Sequence, residues 1–291
     1  MNALRLVGVH KRYGKTRALD GMTLDVPRGT ICGLVGPNGA GKTTTFGIAG
    51  GLIRHDEGEV DVLGAGPFDA AVHRGRVTLL PQDCELHPAT PVRKLLVFFA
   101  RLQGMSSREA ERDADRVLEA VDLTDRANAR IRQLSHGMRR RVQVAQAFLG
   151  TPELVLLDEP ASGLDPEQTA RMRELFLSQR GRCTLVVSSH ILSELEAVCD
   201  HVAILQNGVC LQSGSIEDIT GRATEVRIRF AGTLPPGIDG RVEDGWLVLG
   251  GEDVVAINAR VLPKLLEAGV GILEVRQGRS LELSYMDRAR S

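Results

Sequence analysis

The sequence predicts an α/β fold for most of the chain, followed by a small α+β domain at the C-terminal end. Two observations predict the α/β part. A short apolar strand pattern at 31–35 runs into a glycine-rich loop, and strand patterns further along alternate with helical ones. The chain has 291 residues, which is more than one typical domain requires. We place a linker at 214–223 and divide the chain into domains at 1–220 and 221–291.

The elements of the first domain follow, in chain order, from the period of the apolar residues. Strands are predicted at 4–10, 18–26, 31–35, 58–63, 76–80, 153–157, 183–188, 201–206 and 209–212. Helices are predicted at 42–51, 91–103, 106–121, 138–149 and 166–179. The helix at 106–121 opens with Ser106-Ser107-Arg108-Glu109, a capping box that fixes its start. The mainly helical stretch at 87–150 is therefore expected to form a subdomain.

The second domain mixes strands and helices without the alternation of the first. Strands are predicted at 224–230, 246–249, 254–258 and 272–276. A short helix is predicted at 262–268, with Pro263 near its first turn, where proline is tolerated. A last helix is predicted at 280–288. This succession predicts a separate α+β domain.

Composition excludes several classes of function. The net charge is −1, so no overall basic field recruits nucleic acid or anionic lipid. The sequence contains no apolar run long enough to span a membrane, and its start lacks the apolar region of a signal peptide. Its five cysteines are scattered and lack C-x-x-C spacing, which argues against a zinc site.

The glycine-rich loop is the first candidate site. Gly36-Pro37-Asn38-Gly39-Ala40-Gly41-Lys42-Thr43-Thr44 fits G-x-x-x-x-G-K-[ST], and it follows a strand and opens a helix as that motif must. The backbone N–H groups of such a loop turn inward around a polyphosphate, and the helix N-terminus adds its positive end. The predicted nucleotide-binding residues here are Asn38, Gly39, Ala40, Gly41, Lys42, Thr43 and Thr44. Lys42 is expected to reach the β- and γ-phosphates, and the Thr43 hydroxyl to bind Mg²⁺. Cys32, just before this loop, is expected to be a place where alkylation interferes with nucleotide binding.

A second candidate site is the carboxylate pair Asp158-Glu159, which follows the apolar strand pattern Leu154-Val155-Leu156-Leu157. The carboxyl edge of a parallel sheet is where α/β folds bind ligands. Asp158 is expected to support Mg²⁺, directly or through water. Glu159 is expected to orient and deprotonate an attacking water.

Four further residues are ambiguous when each is considered alone. Gln82 follows a strand and is either a ligand of Mg²⁺ or water, or a surface glutamine. His190 ends another strand and is either a contact of the γ-phosphate or a structural histidine. Asp165 could equally cap the helix that begins at Pro166. Tyr13 is either a base-stacking aromatic or an ordinary surface tyrosine.

The order of these features resembles the ATP-binding-cassette ATPases over roughly residues 3–220. Tyr13 falls at that family's adenine-stacking position, and 36–44 at Walker A. Gln82 falls at the Q-loop, 134–138 at the signature and 154–159 at Walker B. Residues 162–165 fall at the D-loop and His190 at the switch histidine. The resemblance implies a P-loop core with an antiparallel β-subdomain and a helical subdomain. It also implies ATP and Mg²⁺ as cofactors, with catalytic roles for Lys42, Gln82, Glu159 and His190.

The signature, Leu134-Ser135-His136-Gly137-Met138, carries the implication that the chain works in pairs. In the family, two cassettes clasp two ATPs, and the Ser135 hydroxyl and the Gly137 N–H would contact the γ-phosphate held by the second copy. Asp165 belongs to the same set of nucleotide-binding positions. The commonest signature is Leu-Ser-Gly-Gly-Gln, so His136 and Met138 are departures. The role of His136 stays open between a solvated side chain and a group that tunes pH dependence.

The Ser-x-Gly-Met signature followed by Arg139-Arg140-Arg141 resembles the exporter ATPases of the ABC-2 branch, whose membrane channel is a separate polypeptide. The arginine run could instead be a nucleic-acid patch, but no aromatic residues are interleaved with it, and no nucleic-acid partner is expected. The ending Ser280–Met286 resembles that of many ABC-2 ATPases, including daunorubicin-type drug exporters, sodium exporters and the ATPase that helps mature nitrous oxide reductase. The resemblance gives the C-terminal domain a role in dimer stabilisation or regulation.

These resemblances imply separate transmembrane permease subunits as partners and a peripheral position on the cytoplasmic face of the membrane. The apolar residues 95–99 are expected to divide between the core and a partner surface in a groove at 86–101. The alternative is a soluble, non-transport cassette ATPase that acts in assembly, on ribosomes or on DNA. Ribosomal types usually carry two cassettes and DNA-repair types carry long coiled-coil inserts, and this chain has neither.

Overall fold

A computed structural model describes residues 1–221, 224–251 and 253–290, with side chains described as far as 286. The chain divides into two compact units, Met1–Ser213 and Gly214–Ser291. This division lies ahead of the boundary predicted after residue 220. The predicted linker at 214–223 is wrong over 214–220, where a strand ends and a short helix follows. Its last two residues, 222 and 223, lie outside the described residues.

The first unit contains the strands β1 (Asn2–Tyr13), β2 (Thr16–Pro27), β3 (Ile31–Val35), β4 (Glu57–Val62), β5 (Val77–Leu80), β6 (Leu154–Leu157), β7 (Thr184–Ser189), β8 (His201–Gln206) and β9 (Val209–Ser215). Its helices are α1 (Lys42–Ala49), α2 (Ala70–His73), α3 (Val92–Leu102), α4 (Ser107–Ala120), α5 (His136–Ala147), α6 (Pro166–Gln179) and α7 (Leu192–Glu196). The short helices α2 and α7 were not predicted from the sequence.

The central sheet positions the candidate site. Its order is β5-β6-β7-β3-β8-β9, and the pairings from β5 through β8 are parallel. Strands β3 and β6 are buried along their whole length, as strands covered on both faces are expected to be. The loops that follow β3, β5, β6 and β7 therefore leave the sheet at one edge. Those loops carry the predicted nucleotide-binding residues.

A second sheet, in the order β2-β1-β4, is antiparallel and packs its apolar face into the same core. Leu4, Leu6 and Leu24 from this sheet and Phe46 from α1 are almost completely buried in that core. The antiparallel β-subdomain implied by the family resemblance is therefore present.

The helical stretch consists of α3, α4 and α5. The capping box of α4 is confirmed, because Ser106 accepts from the Glu109 N–H and Glu109 accepts from the Ser106 N–H. Within the apolar run of α3, Leu95 and Leu96 are buried, whereas Phe98 is 56% exposed. The run is thus shared between the core and the surface.

The second unit contains the strands β10 (Glu225–Ala231), β11 (Arg241–Glu243), β12 (Trp246–Gly250) and β13 (Gly271–Gln277). Its helices are α8 (Ile216–Thr220), α9 (Val254–Glu267) and α10 (Leu281–Arg290). The strands form an antiparallel sheet in the order β11-β12-β10-β13, and α9 contributes to the core on one of its faces.

The strand predicted at 254–258 is wrong, because those residues form the first part of α9. The Asp253 side chain accepts a hydrogen bond from the Ala256 N–H and caps the helix. Ile257, Val261 and Leu265 then follow at intervals of four residues and bury one face. The short helix predicted at 262–268 is the second half of the same helix, so Pro263 lies in its interior. No helix within the described residues has the length and apolar character needed to cross a membrane.

Candidate functional site

A cavity of about 690 Å³ opens at the carboxyl edge of the central sheet. Most of the predicted site residues line it. Those that do are Tyr13, Asn38, Gly39, Ala40, Gly41, Lys42, Thr43, Thr44, Gln82, Asp158, Glu159 and His190. Thr16, Arg17 and Ala18 also line it and were not predicted, and Ser162, the first residue of the D-loop position, lines it too. The structure does not bring Ser135, Gly137 or Asp165 to this cavity.

The glycine-rich loop surrounds the amine of its own lysine. Gly41 has a φ of 105°, and a Cβ at this position would lie 2.7 Å from Leu19 Cδ2 and 2.9 Å from the Ala18 carbonyl. Only glycine fits there. Lys42 Nζ donates to the Gly36 carbonyl at 2.7 Å and to the Pro37 carbonyl at 3.3 Å, so the charged amine is held inside the loop at the start of α1.

Oxygen ligands suited to Mg²⁺ meet beside this loop. Thr43 Oγ1 donates to Asp158 Oδ2 at 2.7 Å, and Ser188 Oγ donates to Asp158 Oδ1 at 2.6 Å. Asp158 is only 1% exposed, yet both of its carboxylate oxygens have partners. A hydroxyl, a carboxylate and the nearby Gln82 amide are hard oxygen donors, which together with phosphate oxygens are the ligands that Mg²⁺ takes. The residues present therefore fit the implied ion.

Glu159 is held in an unusual backbone conformation. Its φ is 50°, in the left-handed region that residues with a side chain seldom occupy. Its N–H donates to Ser188 Oγ at 2.8 Å, and its Oε2 lies 2.8 Å from His190 Nδ1. Glu159 is 7% exposed, whereas His190 is largely open to solvent. A buried carboxylate is thus presented to the cavity with an exposed histidine beside it.

Arg140 holds this segment from behind and was not recognised as part of the site. Its guanidinium donates to the carbonyls of Glu159 at 2.7 Å, Asp158 at 3.0 Å and Pro160 at 3.1 Å, and more weakly to that of Gln82 at 3.4 Å. Burial lowers the pKa of Arg140 from its ordinary value, while neighbouring groups, including Cys84 and Asp158, partly oppose that shift. Arg140 therefore connects helix α5 to the exits of β5 and β6.

The arginine run does not form a nucleic-acid surface. Arg140 and Arg141 are both buried, and Arg141 donates to the carbonyls of Val121 and Asp122 at 2.9 and 3.2 Å. Arg139 alone is exposed. Two of the three charges are thus used inside the fold, where they cannot contact phosphates of a nucleic acid.

The signature turn lies at the start of α5, and its residues do not line the cavity. Ser135 is exposed and caps the helix by accepting from the Met138 N–H at 3.2 Å. Asp165 caps α6 by accepting from the Gln168 N–H at 2.9 Å, so the capping role considered for it is confirmed. The predicted contacts of Ser135, Gly137 and Asp165 with nucleotide stay predictions.

The expectation for Cys32 is wrong for the folded chain. Cys32 is 1% exposed, and burial raises the pKa of its thiol to about 12. Because the thiolate is the form that reacts with alkylating reagents, this cysteine is protected.

Comparison with known proteins gives consistent results. A family model described as ABC transporter matches residues 19–162. The chain is 34% identical over 222 residues to a linearmycin resistance ATP-binding protein of Bacillus subtilis, covering 75% of this chain and 71% of that protein. It is 36% identical over 238 residues to a daunorubicin resistance ATP-binding protein of Streptomyces coeruleorubidus, covering 80% and 75% of the two chains. It is 38% identical over 221 residues to a Nod factor export ATP-binding protein of Cupriavidus pinatubonensis, covering 74% and 67%.

Solved structures show the same fold. An ATP-binding subunit of an ABC transporter matches with a TM-score of 0.68 and 29% identity, over 76% of this chain and 92% of that one. A dimeric ATP-binding cassette in a post-hydrolysis state, bound to ADP and phosphate, matches with a TM-score of 0.67 and 24% identity, over 73% and 98% of the two chains. At that identity the second match supports the fold alone.

Proposed function

We propose that this chain, which belongs to the ATP-binding-cassette (ABC) transporter family and is an ATPase, is the ATP-hydrolysing subunit of an ABC-2-type exporter. The relatives named for drug resistance and for Nod factor export support this proposal. The observation that carries it is the convergence of Lys42, Thr43, Asp158, Glu159 and His190 on one cavity.

In the proposed mechanism the phosphate loop binds ATP and Tyr13 stacks on the adenine. Lys42 leaves the carbonyls of Gly36 and Pro37 and contacts the β- and γ-phosphates, which are stronger acceptors for a charged donor. Mg²⁺ would be held by the Thr43 hydroxyl and, directly or through water, by Asp158 and Gln82, where it would neutralise charge on the phosphates.

The hydrolytic step is assigned to Glu159. Its carboxylate orients the attacking water and takes a proton from it as the bond to the γ-phosphorus forms. The bond between that phosphorus and the β–γ bridging oxygen breaks, so ADP leaves and inorganic phosphate is the second product. The short contact with His190 Nδ1 fixes the direction of that carboxylate. His190 is exposed to the cavity and therefore lies where it can also contact the γ-phosphate.

We test the role of Glu159 with Glu159→Gln, which keeps the shape of the side chain and removes its basicity. ATP binding should be retained, and hydrolysis should slow by roughly 10²–10⁴-fold, the usual contribution of a general base. Glu167→Gln is a matched control, because Glu167 is an exposed residue in the first turn of α6. Steady-state turnover of Glu159→Gln equal to that of the control would remove Glu159 from this role.

The site is completed by a second copy of the chain in this proposal. Ser135 is exposed at a helix N-terminus but does not reach the cavity of its own chain. Its exposed hydroxyl is available to the γ-phosphate held by a partner copy, and the N–H of Gly137, a residue that is buried in the single chain, is proposed to contact the same phosphate. ATP then holds two copies together, and loss of the γ-phosphate lets them separate.

Pairing is tested with Ser135→Arg. The long cation should block closure, so sedimentation should show no dimer with ATP, while the variant still binds nucleotide as a monomer. Ser178→Arg, on α6, is a control in which the same charge is added to a different surface. Normal dimers of Ser135→Arg would overturn the shared-site proposal.

We further propose that the dimer acts at the cytoplasmic face of a membrane on separate transmembrane permease subunits. Purification of the tagged chain from detergent-solubilised membranes should recover a partner protein with several transmembrane helices. Recovery only of ribosomal, DNA-bound or assembly factors would favour the non-transport alternative.

A further inference from the structure

The signature turn contacts the segment 162–168 of the same chain at two glycines, Gly137 and Gly163. A Cβ on Gly137 would lie 2.7 Å from Gln168 Cδ and 3.0 Å from its Nε2, and closer still to its Oε1. A Cβ on Gly163 would lie 2.8 Å from His136 Cε1 and 3.2 Å from its Nδ1. A side chain from each segment therefore occupies the space over a glycine of the other.

Gln168 extends this contact to the cap of α6. Its Nε2 donates to Asp165 Oδ2 at 2.5 Å, and its N–H donates to Asp165 Oδ1. Its Oε1 is buried and has no hydrogen-bond partner within the part of the chain that the structure describes. An unsatisfied buried carbonyl is costly. The Gln168 side chain is therefore fixed by packing on Gly137 and by its bond to Asp165, rather than by satisfaction of its oxygen.

We propose that His136 and Gln168 are positioning residues that interlock the signature turn with the segment 162–168. The proposal rests on the proposed function, in which Ser135, Gly137 and Asp165 all act on nucleotide shared with a second copy. The interlock presents these groups to that copy as one rigid unit. It also gives a role to His136, which stands where the commonest signature has glycine. In addition, it explains the glycines at 137 and 163 by contacts within one chain, because a larger residue at either position would collide with Gln168 or His136.

The first test is a double-mutant cycle. Gly137→Ala keeps the backbone N–H but places a methyl group against the Gln168 amide, so turnover should fall by about tenfold or more. Binding of ATP to the monomer should stay unchanged, because the phosphate loop is untouched. Gln168→Ala removes the obstacle, and the variant with both substitutions should recover most of the turnover that Gly137→Ala loses.

A second cycle uses Gly163→Ala and His136→Ala. Gly163 has a φ of 75°, so alanine is strained there whatever its surroundings. That strain is present in both backgrounds and cancels in the cycle. Gly163→Ala should therefore lower turnover less in the His136→Ala background than in the parent chain, because the collision with the His136 ring is then absent.

Each variant is also compared by thermal melting and by ATP-dependent dimerisation in a Glu159→Gln background. If Gly137→Ala fails to fold while the double variant folds, that rescue is itself the expected coupling. If Gly137→Ala lowers turnover equally whether residue 168 is glutamine or alanine, glycine at 137 is required by the nucleotide alone. That result would overturn the proposed interlock. Failure of the proposed function gives a different result, since the Glu159→Gln chain would stay monomeric with ATP. The interlock would then be tested by the melting temperatures of the single and double variants, which report the same two contacts without requiring a dimer.

Discussion

Replacing Arg140 with methionine should destabilise the chain and slow hydrolysis together. Methionine is apolar and of comparable length, so it fills much of the space of the arginine stem but donates no hydrogen bonds. Three backbone carbonyls, at 158–160, accept from the Arg140 guanidinium within 3.1 Å. All three belong to the segment that carries the proposed metal-supporting and catalytic carboxylates.

The magnitude follows from two of those carbonyls, at Asp158 and Pro160, because the Glu159 carbonyl also accepts from the Ser162 N–H at 3.1 Å and keeps that partner. A buried acceptor left without its partner costs about 1–3 kcal/mol. Water that enters beside methionine will satisfy part of this demand, so the lower half of the range, about 1–2 kcal/mol for each of the two carbonyls, applies, and the total is about 2–4 kcal/mol. This is a large share of the roughly 5–15 kcal/mol that stabilises a typical protein. Turnover should fall by about tenfold or more, because the left-handed backbone of Glu159 loses the hydrogen bond that its carbonyl accepts from Arg140.

The assay is urea unfolding followed by circular dichroism, with ATP turnover measured on the same preparations. Arg139→Met is the matched control, because Arg139 is the exposed neighbour on the same helix. That variant should stay within about 0.5 kcal/mol of the parent chain, as surface substitutions generally do. If Arg140→Met unfolds at the same urea concentration as the control, the buried guanidinium does not support this segment.

Two further predictions concern buried groups. Ser188→Ala removes the acceptor of the Glu159 N–H and a donor to Asp158. Turnover should therefore fall about tenfold, equivalent to about 1.4 kcal/mol, while ATP still binds. Unchanged turnover, measured together with ATP binding, would show that Ser188 does not support the two carboxylates. Cys32 should resist iodoacetamide at mildly alkaline pH in the folded chain, because its raised pKa of about 12 keeps the thiol protonated, and it should react once guanidinium unfolds the chain; peptide mass mapping that finds Cys32 modified in the native chain would contradict its burial.

Contiguous motifs made much of the cavity predictable. Lys42 and Thr43 lie in a short string that must follow a strand and open a helix, and Asp158 and Glu159 directly follow a buried strand. Because the carboxyl ends of parallel strands share one edge, the order of these strings was sufficient to place them together. His190 was placed by the same reasoning, at the end of β7.

Arg140 and Ser188 could not be found in that way. Their partners are backbone carbonyls and acidic residues far away in the sequence, and such contacts leave no local pattern. In the run Arg139-Arg140-Arg141 the charges suggest a surface, yet helical geometry turns two of them inward. The strand predicted at 254–258 failed for a related reason, since its β-branched residues favoured a strand while the cap at Asp253 and the apolar spacing through Leu265 favoured a helix.

The left-handed backbone of Glu159 has a consequence for how this residue is retained over generations. Every L-amino acid at this position carries a conformational penalty of about 1 kcal/mol or more that glycine would avoid. Random substitution toward glycine would therefore be favoured by folding and opposed only by the need for a carboxylate. A copy of this gene relieved of the duty to hydrolyse ATP should lose Glu159 early, and the loss would leave its protein at least as stable as the ancestor.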